Sequence, residues 1–306
     1  LVTLSIRVVR KKLMLAVVLI VSASVLAIAA VNKQAIVMLE SKKARNLWLG
    51  AFFMSVSWLS LAACPADVSA LQRVEMASIH DGDTLRLASG EKIRVIGINT
   101  PELARNGRPA EPLAKLAKQA ARQFLAKQQN NEPLYIQRGI DTKDRYGRSL
   151  AHVYRSDGQS LAAELLAKGL AWQVVVPSNT GHWSCYRKQE QQARRLGLGV
   201  WRQAPVNAAE LTLADTGFQV VRGRVNTVHK GRHVWWLSVG RLAVSVRKKD
   251  QHYFEQLGFD GDWFRWQGQT IALKGWVIDR SRSRAVIERG YAPLMMSLRH
   301  PSMLID

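Results

Sequence analysis

Three carboxylates and one arginine, all close together in the chain, have the residue types and spacing best suited to chemistry. Asp81 and Asp83 follow an apolar segment, and Glu102 follows a second apolar segment that begins with Arg94. Charged side chains at the ends of strands are held on a rigid scaffold and can converge on one point. Carboxylate oxygens suit a hard cation, and a guanidinium fork suits the oxygens of a phosphodiester. This stretch therefore indicates chemistry on phosphate esters.

Each of these residues also has a structural interpretation. Asp81 and Asp83 flank a glycine, and Asp-Gly-Asp is a composition that favours turns on its own account. Arg94 could simply pair with Glu102. Arg148, which follows a Tyr-Gly turn farther along the chain, could be a solvated surface charge.

The elements that must position these residues are predicted to be five short strands followed or interrupted by helices. Strands are predicted at 71–79, 84–87, 92–98, 134–138 and 149–154, and helices at 111–127, 161–170 and 187–196. Five strands with helices inserted late are typical of an OB-type barrel. The sequence thus predicts a mainly β, α+β domain over residues 71–203.

The charge of the chain points to a polyanionic partner. Lys and Arg number 44 against 23 Asp and Glu, which gives a net charge of +21 in 306 residues. Nucleic acid is the first candidate for such a surface and anionic lipid the second. A basic but inert surface is the remaining alternative.

Four motifs in order give the first domain a resemblance to the thermonuclease (staphylococcal nuclease-like) family. The motifs cover about 130 residues and are Asp81-Gly82-Asp83-Thr84, the segment from Arg94 to Thr100-Pro101-Glu102, Asp144-Arg145-Tyr146-Gly147-Arg148, and the closing Gly199-Val200-Trp201. The resemblance implies an OB-fold five-stranded barrel that hydrolyses phosphodiesters of DNA and RNA, usually with Ca²⁺.

The same resemblance implies roles for individual residues. Arg94 and Arg148 correspond to the two phosphate-binding arginines, and Glu102 to the carboxylate that orients or activates water. Such roles agree with the chemistry, because charge develops on the phosphate oxygens during in-line attack and two guanidinium forks stabilise it there. Glu102 is then the natural general base.

The metal site implied by the resemblance is altered in this chain. Asp83 corresponds to a metal ligand, Thr100 to a ligand through its carbonyl, and Asp81 to an acid behind the metal. The family's second aspartate ligand is Asn99 here. An amide offers an oxygen but removes one negative charge, so weaker Ca²⁺ binding is expected.

The segment that stacks on a nucleobase in the family is also different. It corresponds to residues 172–177, where this chain has three valines in place of tyrosines. Trp172 is the remaining aromatic residue of the segment, with base stacking and a core role as its two interpretations.

A second, basic domain is predicted after a linker at residues 204–216, which is predicted to carry a short helix. Residues 217–306 are rich in tryptophan and in short alternating runs, among them 218–225, 233–239, 242–247, 270–277 and 285–288, which are predicted as strands. A second small β-barrel follows, with an OB-like arrangement as one candidate. Trp235 and Trp236, beside several arginines, are candidates for stacking on single-stranded nucleic acid, with core packing as the alternative.

Residues 1–70 form an N-terminal hydrophobic segment. Leu13–Val31 is long enough to span a bilayer, and Leu47–Ala63, with basic residues before it and small residues after it, has the pattern of a secretory signal. We expect translation to begin at Met38, with a membrane anchor at 13–31 as the alternative. These features predict an exported protein that is secreted, periplasmic or tethered to a bacterial membrane.

The presence of only two cysteines, Cys64 and Cys185, is taken to exclude both a scaffold stapled by disulfides and a multi-cysteine zinc site. Leu61–Cys64 resembles a bacterial lipoprotein box, with Cys64 as the lipidated residue, while cleavage after Ala70 is the alternative. Cys185 is expected to be a buried small residue without a partner.

These observations together predict a nuclease with Arg94, Glu102 and Arg148 at its centre, and they give no evidence for an obligate protein partner. The altered residue at position 99 and the missing tyrosines motivate an alternative, a nucleic-acid-binding protein with a degenerate site. A third alternative is a protein held to membrane surfaces by charge.

Overall fold

The computed structural model describes residues 64–104, 107–126 and 133–305. Both N-terminal apolar runs and the expected start at Met38 lie outside the described residues. Within the described residues, no helix is both long enough and apolar enough to cross a membrane.

The first part of the described chain is a closed five-stranded barrel, as predicted. Its strands are β1 Gln72–Val74, β2 Met76–Ile79, β3 Thr84–Leu87, β4 Lys92–Val95, β6 Leu134–Lys143 and β7 Ser149–Tyr154, while the short strands β5 Ile98–Asn99 and β8 Trp172–Gln173 pair separately. The first two strands are halves of one interrupted strand, so the sheet order β1-β6-β7-β4-β3-β2 closes on itself. All neighbours are antiparallel except β4 and β7. This is the strand order of an OB fold.

Three helices cover the barrel, also as predicted: α1 Ala114–Ala126, α2 Leu161–Ala167 and α3 Trp183–Arg195. The buried face of α1 is formed by alanines and by Phe124 and Leu125, because these residues recur on one side of the helix. Ser160 caps the start of α2, where its hydroxyl accepts a hydrogen bond from the backbone N–H of Ala163. Barrel and helices share one hydrophobic cluster.

The second part is another barrel with the same strand connections. Its strands are β9 Val206–Asn207, β10 Gly217–Lys230, β11 Val234–Val239, β12 Leu242–Arg247, β13 Thr270–Asp279, β14 Leu294–Ser297 and β15 Leu304–Ile305. Strand β10 pairs with both β11 and β13, and the circuit β10-β11-β12-β14-β13 closes with one parallel pair, β12 and β14. This order matches that of the first barrel, so the OB-like candidate agrees with the observed topology.

Two local predictions in this part were wrong. Residues 285–288 lie within a helix, α4 Arg284–Arg289, rather than a strand. The Arg284–Glu288 pair at i,i+4 supports this helix, and Gly290, with φ of 64°, ends it in the left-handed region. The segment 204–216 contains strand β9 rather than a short helix, and its Ala208 and Leu211 are fully buried in the hydrophobic cluster of the second barrel.

The interpretation of the cysteines is also corrected. Cys64 and Cys185 form a disulfide bond that joins positions 121 residues apart. The Sγ atom of Cys64 is therefore not available for lipidation. Cleavage after Ala70 would separate Cys64 from the rest of the chain, so that Cys185 would have no cysteine partner within it. Sequence spacing gave no signal for this pairing, because the two residues meet only through the fold of the first barrel.

The two barrels belong to one compact unit, Leu61–Asp306. The rings of Trp172 in the first barrel and Phe218 in the second are 5.0 Å apart. Lys274 of β13 and Glu190 of α3 form a buried ion pair across the same boundary.

Candidate active site

The candidate site lies where strands β2 to β5 of the first barrel end. Asp81 and Asp83 occupy the turn between β2 and β3, Arg94 lies on β4, and Asn99 and Thr100 lie at the end of β5. Gly82 is required inside this turn, since a Cβ atom there would lie 2.7 Å from the Thr100 methyl carbon. The turn and the β5 end are thereby held in contact.

Asp83 is the centre of the arrangement. Its Oδ2 atom accepts hydrogen bonds from the backbone N–H of Thr100 at 2.7 Å and from the Thr100 hydroxyl at 3.1 Å. The same oxygen lies 2.5 Å from Nη1 of Arg94. Burial raises the pKa of Asp83, and Asp81 adds to the increase, while Arg94 and the Thr100 hydrogen bonds oppose it.

Arg94 bridges two of the predicted metal ligands. Besides its ion pair with Asp83, its Nη2 atom donates a hydrogen bond to Oδ1 of Asn99 at 2.9 Å. Two oxygens, one from the turn between β2 and β3 and one from β5, thus converge on one positive charge. The guanidinium group thus lies where a metal ion would contact the same two oxygens.

The position of the Arg94 guanidinium provides a test of whether the surrounding residues fit a divalent ion. Oxygen donors from Asp83, Asn99 and the Thr100 carbonyl suit Ca²⁺ chemically, and the convergence on Arg94 agrees with a cation site. Among the described residues there is no group of three or more His, Cys, Asp or Glu side chains that could hold a metal. Any ion would therefore depend on amide and carbonyl oxygens, and it would compete with Arg94 for the oxygens of Asp83 and Asn99.

Arg148 reaches the site from the turn between β6 and β7. Its Nε atom donates to Oδ2 of Asp144 at 2.7 Å, and its backbone N–H donates to Oδ1 of the same residue at 3.0 Å. Its Nη1 atom lies 3.4 Å from the Thr84 hydroxyl, which in turn donates to Oδ1 of Asp83 at 3.2 Å. Thr84 and Asp144 are therefore positioning residues to which the sequence analysis assigned no role, although both lie in the motifs that it identified.

Glu102 is exposed at the mouth of the site. Its backbone N–H donates to Oε2 of Glu111 at 3.0 Å, and its carbonyl accepts a hydrogen bond from the Glu111 N–H at 2.9 Å. Desolvation raises the pKa of Glu102, with contributions from Asp83 and Glu111, while Arg94 and Arg148 oppose the increase. A raised pKa makes the carboxylate a stronger base. Glu111, which fixes its backbone, was also missed from sequence.

The aromatic candidates lie elsewhere. Trp172 is the register partner of Asn99, but its ring contacts Phe218 of the second barrel, which agrees with the core interpretation. Trp235 is 5% exposed and lies in the second hydrophobic cluster, so the structure contradicts its assignment as a base-stacking residue. Trp236 is half-buried, and the Arg280 guanidinium lies 5.2 Å from its ring centroid.

An OB barrel that carries two arginines and a carboxylate of raised pKa at one end suits the chemistry of phosphodiesters. Residues 92–203 match the family model described as staphylococcal nuclease homologue. With the Staphylococcus hyicus relative described next, this match shows that the chain belongs to the staphylococcal nuclease family of phosphodiester-hydrolysing enzymes.

Individual relatives agree with this assignment. The chain is 29% identical to a thermonuclease of Staphylococcus intermedius over 126 residues, which are 40% of this chain and 72% of the relative. It is 30% identical to a thermonuclease of Staphylococcus hyicus over 134 residues, 42% of this chain and 76% of the relative. It is 32% identical to endonuclease YncB of Bacillus subtilis over 130 residues, 40% of this chain and 59% of the relative.

Proposed function

We propose that this protein hydrolyses phosphodiester bonds of DNA or RNA by metal-assisted attack of water at the site around Asp83. The observation that supports this proposal best is the connected set of side chains from Arg94 through Asp83 and Thr84 to Arg148. Two guanidinium groups are thereby held on one side of the barrel with Glu102 at the mouth.

The two arginines bind the phosphate in the proposed reaction. Asp144 holds Arg148 through Nε, which leaves the two Nη groups directed away from that carboxylate and suited to a phosphate. Arg94 is held by Asp83 and Asn99 in the resting site. Positive charge fixed before the reaction stabilises the negative charge that develops on the phosphate oxygens.

Glu102 acts as the general base. Its raised pKa and its exposed position allow it to accept a proton from a water molecule near the phosphate. Bound Ca²⁺ would be held by Asp83, Asn99 and the Thr100 carbonyl, with Asp81 behind, as the resemblance implies for a family that is calcium-dependent in general. The ion would supply charge stabilisation to the phosphate.

The test uses the full chain with plasmid DNA and RNA, in Ca²⁺ and in chelator. We expect both substrates to be degraded in Ca²⁺, with activity reduced by about 10²-fold or more in Glu102→Gln and Arg148→Ala. Cleavage that survives both substitutions would refute the site.

A second candidate is a nucleic-acid-binding protein without catalysis. It is favoured by one observation, the amide of Asn99 where a carboxylate was expected, bonded to Arg94 in place of an ion. Binding of nucleic acid without cleavage at any Ca²⁺ concentration would support this candidate and contradict the first.

The disulfide supports a further proposal, export to an oxidising compartment. Structural disulfides persist in secreted and periplasmic proteins and are rare in the bacterial cytosol. We expect thiol labelling of the native protein to find Cys64 and Cys185 oxidised. Free thiols at both positions in protein isolated without reductant would contradict this location.

A further inference from the structure

The second barrel presents an outward face formed by strands β11 and β12. On β11 the residues with odd numbers are buried, and on β12 those with even numbers are buried. The residues between them therefore lie on the other face of the sheet. The outer face, as we call it, consists of Trp236 and Ser238 on β11 with Ala243 opposite Ser238 on β12, while Ser245, opposite Trp236, is buried. Two small side chains thus lie beside one partly exposed tryptophan.

The outer face lacks negative charge and is bounded by positive charge. Strands β11, β12 and β14 contain no aspartate or glutamate. At one end, the tip of the β10–β11 hairpin lies beside the end of β12, because Val234 pairs with Arg247 and the Lys248 N–H donates to the His233 carbonyl. Five cationic residues gather there, which we call the basic tip: Lys230, Arg232, Arg247, Lys248 and Lys249.

The cations of the basic tip are not neutralised within the protein. Among the described residues, none of the five has a carboxylate within ion-pair distance, whereas Arg265 pairs with Asp260 and Arg284 with Glu288. Asp250, the next residue along, is paired with Arg299. Like charges held together without counter-charges favour a polyanionic partner, which relieves their repulsion.

An arginine from the opposite end of the strands completes the arrangement. Arg280 follows β13 and places its guanidinium over the Trp236 ring, 5.2 Å from the ring centroid, while its Nη2 and Nε atoms are held by the Ala292 carbonyl. An unpaired base that stacks on Trp236 would use the opposite face of the ring, with the charge of Arg280 near its phosphate. Base pairs in a duplex do not offer this flat face.

We propose that the outer face of the second barrel binds single-stranded nucleic acid, with Trp236 as the stacking platform and the basic tip and Arg280 as phosphate contacts. The strand order supports this, since OB folds use their second and third strands and the adjoining loops to bind oligonucleotides, and β11 and β12 occupy those positions here. The inference deepens the proposed function, on which it rests for the identity of the partner. The surface would hold a strand outside the catalytic site.

The face is also placed to serve the catalytic barrel. Arg299 donates from Nε to Asp250, which directly follows the basic tip, and from Nη2 to the Pro177 carbonyl of the first barrel at 3.2 Å. Ser178, the next residue, donates from its backbone N–H to Asp141 on strand β6, three residues before Asp144. The basic tip is therefore tied through packed contacts to the hairpin that carries Arg148.

The experiment measures binding of a fluorescent 20-nucleotide oligo-dT to the full chain carrying Glu102→Gln, by anisotropy at several salt concentrations. In the tip variant, Lys230→Glu with Arg232→Glu, we expect affinity to fall at least about tenfold and the dependence of log K on log salt to weaken by at least about one. The matched control is Arg222→Glu with Arg224→Glu, which makes the same charge change at exposed positions of the same strand, β10. Equal losses in the tip and control variants would overturn the proposal.

A second pair of variants tests stacking without changing charge. Trp236→Ala should weaken oligo-dT binding about fivefold or more. Trp276→Ala removes a tryptophan that is 40% exposed and contacts Phe218 instead, and it should leave affinity within about twofold of the parent. Thermal unfolding establishes that each variant is folded. Equal affinity for oligo-dT and for a duplex of the same length would overturn the single-strand assignment.

The two proposals fail separately. Loss of all cleavage by the unmodified chain, with oligo-dT binding that depends on the basic tip and Trp236, would overturn the proposed function alone. Cleavage by the unmodified chain, with oligo-dT affinity that is unchanged by substitutions in the basic tip and at Trp236, would overturn only the proposal for the outer face.

Discussion

Arg94 holds the two side-chain oxygens that a divalent ion would also use. Its ion pair with Asp83 and hydrogen bond to Asn99 keep the site neutralised before any ion binds. Asp83 and Asn99 would hold Ca²⁺ through the same oxygens that bond to Arg94. Position 99 is therefore the place to test metal binding.

Asn99→Asp should tighten Ca²⁺ binding. It adds a second carboxylate at a point where only oxygen donors converge, and affinity for Ca²⁺ increases with the charge of its ligands. We expect the dissociation constant to fall at least about tenfold in isothermal titration calorimetry, which corresponds to about 1.4 kcal/mol. The control is Asn226→Asp, the same change at an exposed position of β10. Unchanged affinity in Asn99→Asp would mean that the ion is held elsewhere.

Asp144→Asn should lower activity without unfolding the protein. The amide keeps an oxygen for the backbone N–H groups of Tyr146 and Arg148 but loses the charged acceptor of Arg148 Nε. A less firmly held guanidinium stabilises the developing charge less well, so kcat/KM should decrease about tenfold. Steady-state kinetics on a dye-labelled oligonucleotide provide the measurement, and full activity would show that Asp144 does not position Arg148.

For single residues, the sequence indicates which side chains are candidates for the site better than it indicates which side chains bond to one another. Asp83 and Arg94 were identified because their types and spacing are local, and Asn99 was identified through the resemblance to the thermonuclease family. That Arg94 bonds to Asn99 rather than to Glu102 depends on how β4 and β5 turn in space. Glu111 had no signal as a neighbour of Glu102, since their contact follows from the path of the loop between them.

A buried polar network joins the end of β7 to the start of α3. His152 lies 3.0 Å from the Tyr186 hydroxyl through Nδ1, and Tyr186 also contacts the Ser160 hydroxyl at 3.1 Å. His182, at the first turn of α3, lies 3.1 Å from the Tyr154 hydroxyl and packs edge-on against His152. Burial lowers the pKa of His152 to about 3, with His182 adding to the decrease.

This network should make the fold sensitive to acid. His152 stays neutral when folded, whereas the unfolded chain takes up a proton below about pH 6.5, so stability is lost as the pH falls from about 6.5 towards 3. Between pH 7 and pH 5 its contribution to the free energy of unfolding should decrease by about 2 kcal/mol. Urea unfolding at both pH values measures this.

Two substitutions test the assignment to His152. His152→Gln should lower stability at pH 7, because it removes the bond to Tyr186, but the loss between pH 7 and pH 5 should shrink by about 2 kcal/mol. His80→Gln, at an exposed position, should leave the pH dependence as in the parent. An unchanged pH dependence in His152→Gln would assign the acid sensitivity to other groups.

Elements were predicted well where side-chain periodicity decided them and poorly where tertiary contacts did. The strand at 149–154 and the helix over 161–167 follow from alternation and from a capping serine. Residues 284–289 are too few for periodicity to separate a helix from a strand, and the salt bridge and the terminal glycine decide the outcome. Trp235 and Trp236 alternate in sequence, yet only the barrel determines which one is buried.

The disulfide should contribute strongly to the stability of the whole molecule. It closes a loop with a sequence separation of 121 residues, and in the chain-entropy model such a loop corresponds to about 4–5 kcal/mol. Cys64→Ala with Cys185→Ala should lower the free energy of urea unfolding by a similar or smaller amount. Reductant should destabilise the parent and leave the double variant unchanged. If reductant leaves the free energy of unfolding of the parent unchanged, the disulfide bond does not form.

The ion pair between Lys274 and Glu190 ties the second barrel to the first. Lys274 is 1% exposed and Glu190 is 6% exposed, and the other carboxylate oxygen of Glu190 accepts the Gln173 N–H at 2.6 Å. Gln173 belongs to β8, which pairs with the strand that carries Asn99. One carboxylate thus connects the second barrel to the strand beneath the candidate active site.

Removing one partner of this pair should cost more than removing both charges. Lys274→Met leaves the Glu190 carboxylate buried without its counter-ion and should lower the free energy of unfolding by about 3–5 kcal/mol. Adding Glu190→Gln keeps an acceptor for the Gln173 N–H and removes the unpaired charge, so most of the loss should be recovered. Urea unfolding of the parent, both single variants and the double variant gives the coupling energy, which we expect to be about 2 kcal/mol or more. Additive effects in this cycle would mean that the two side chains do not interact and that the barrels are held together by their other contacts.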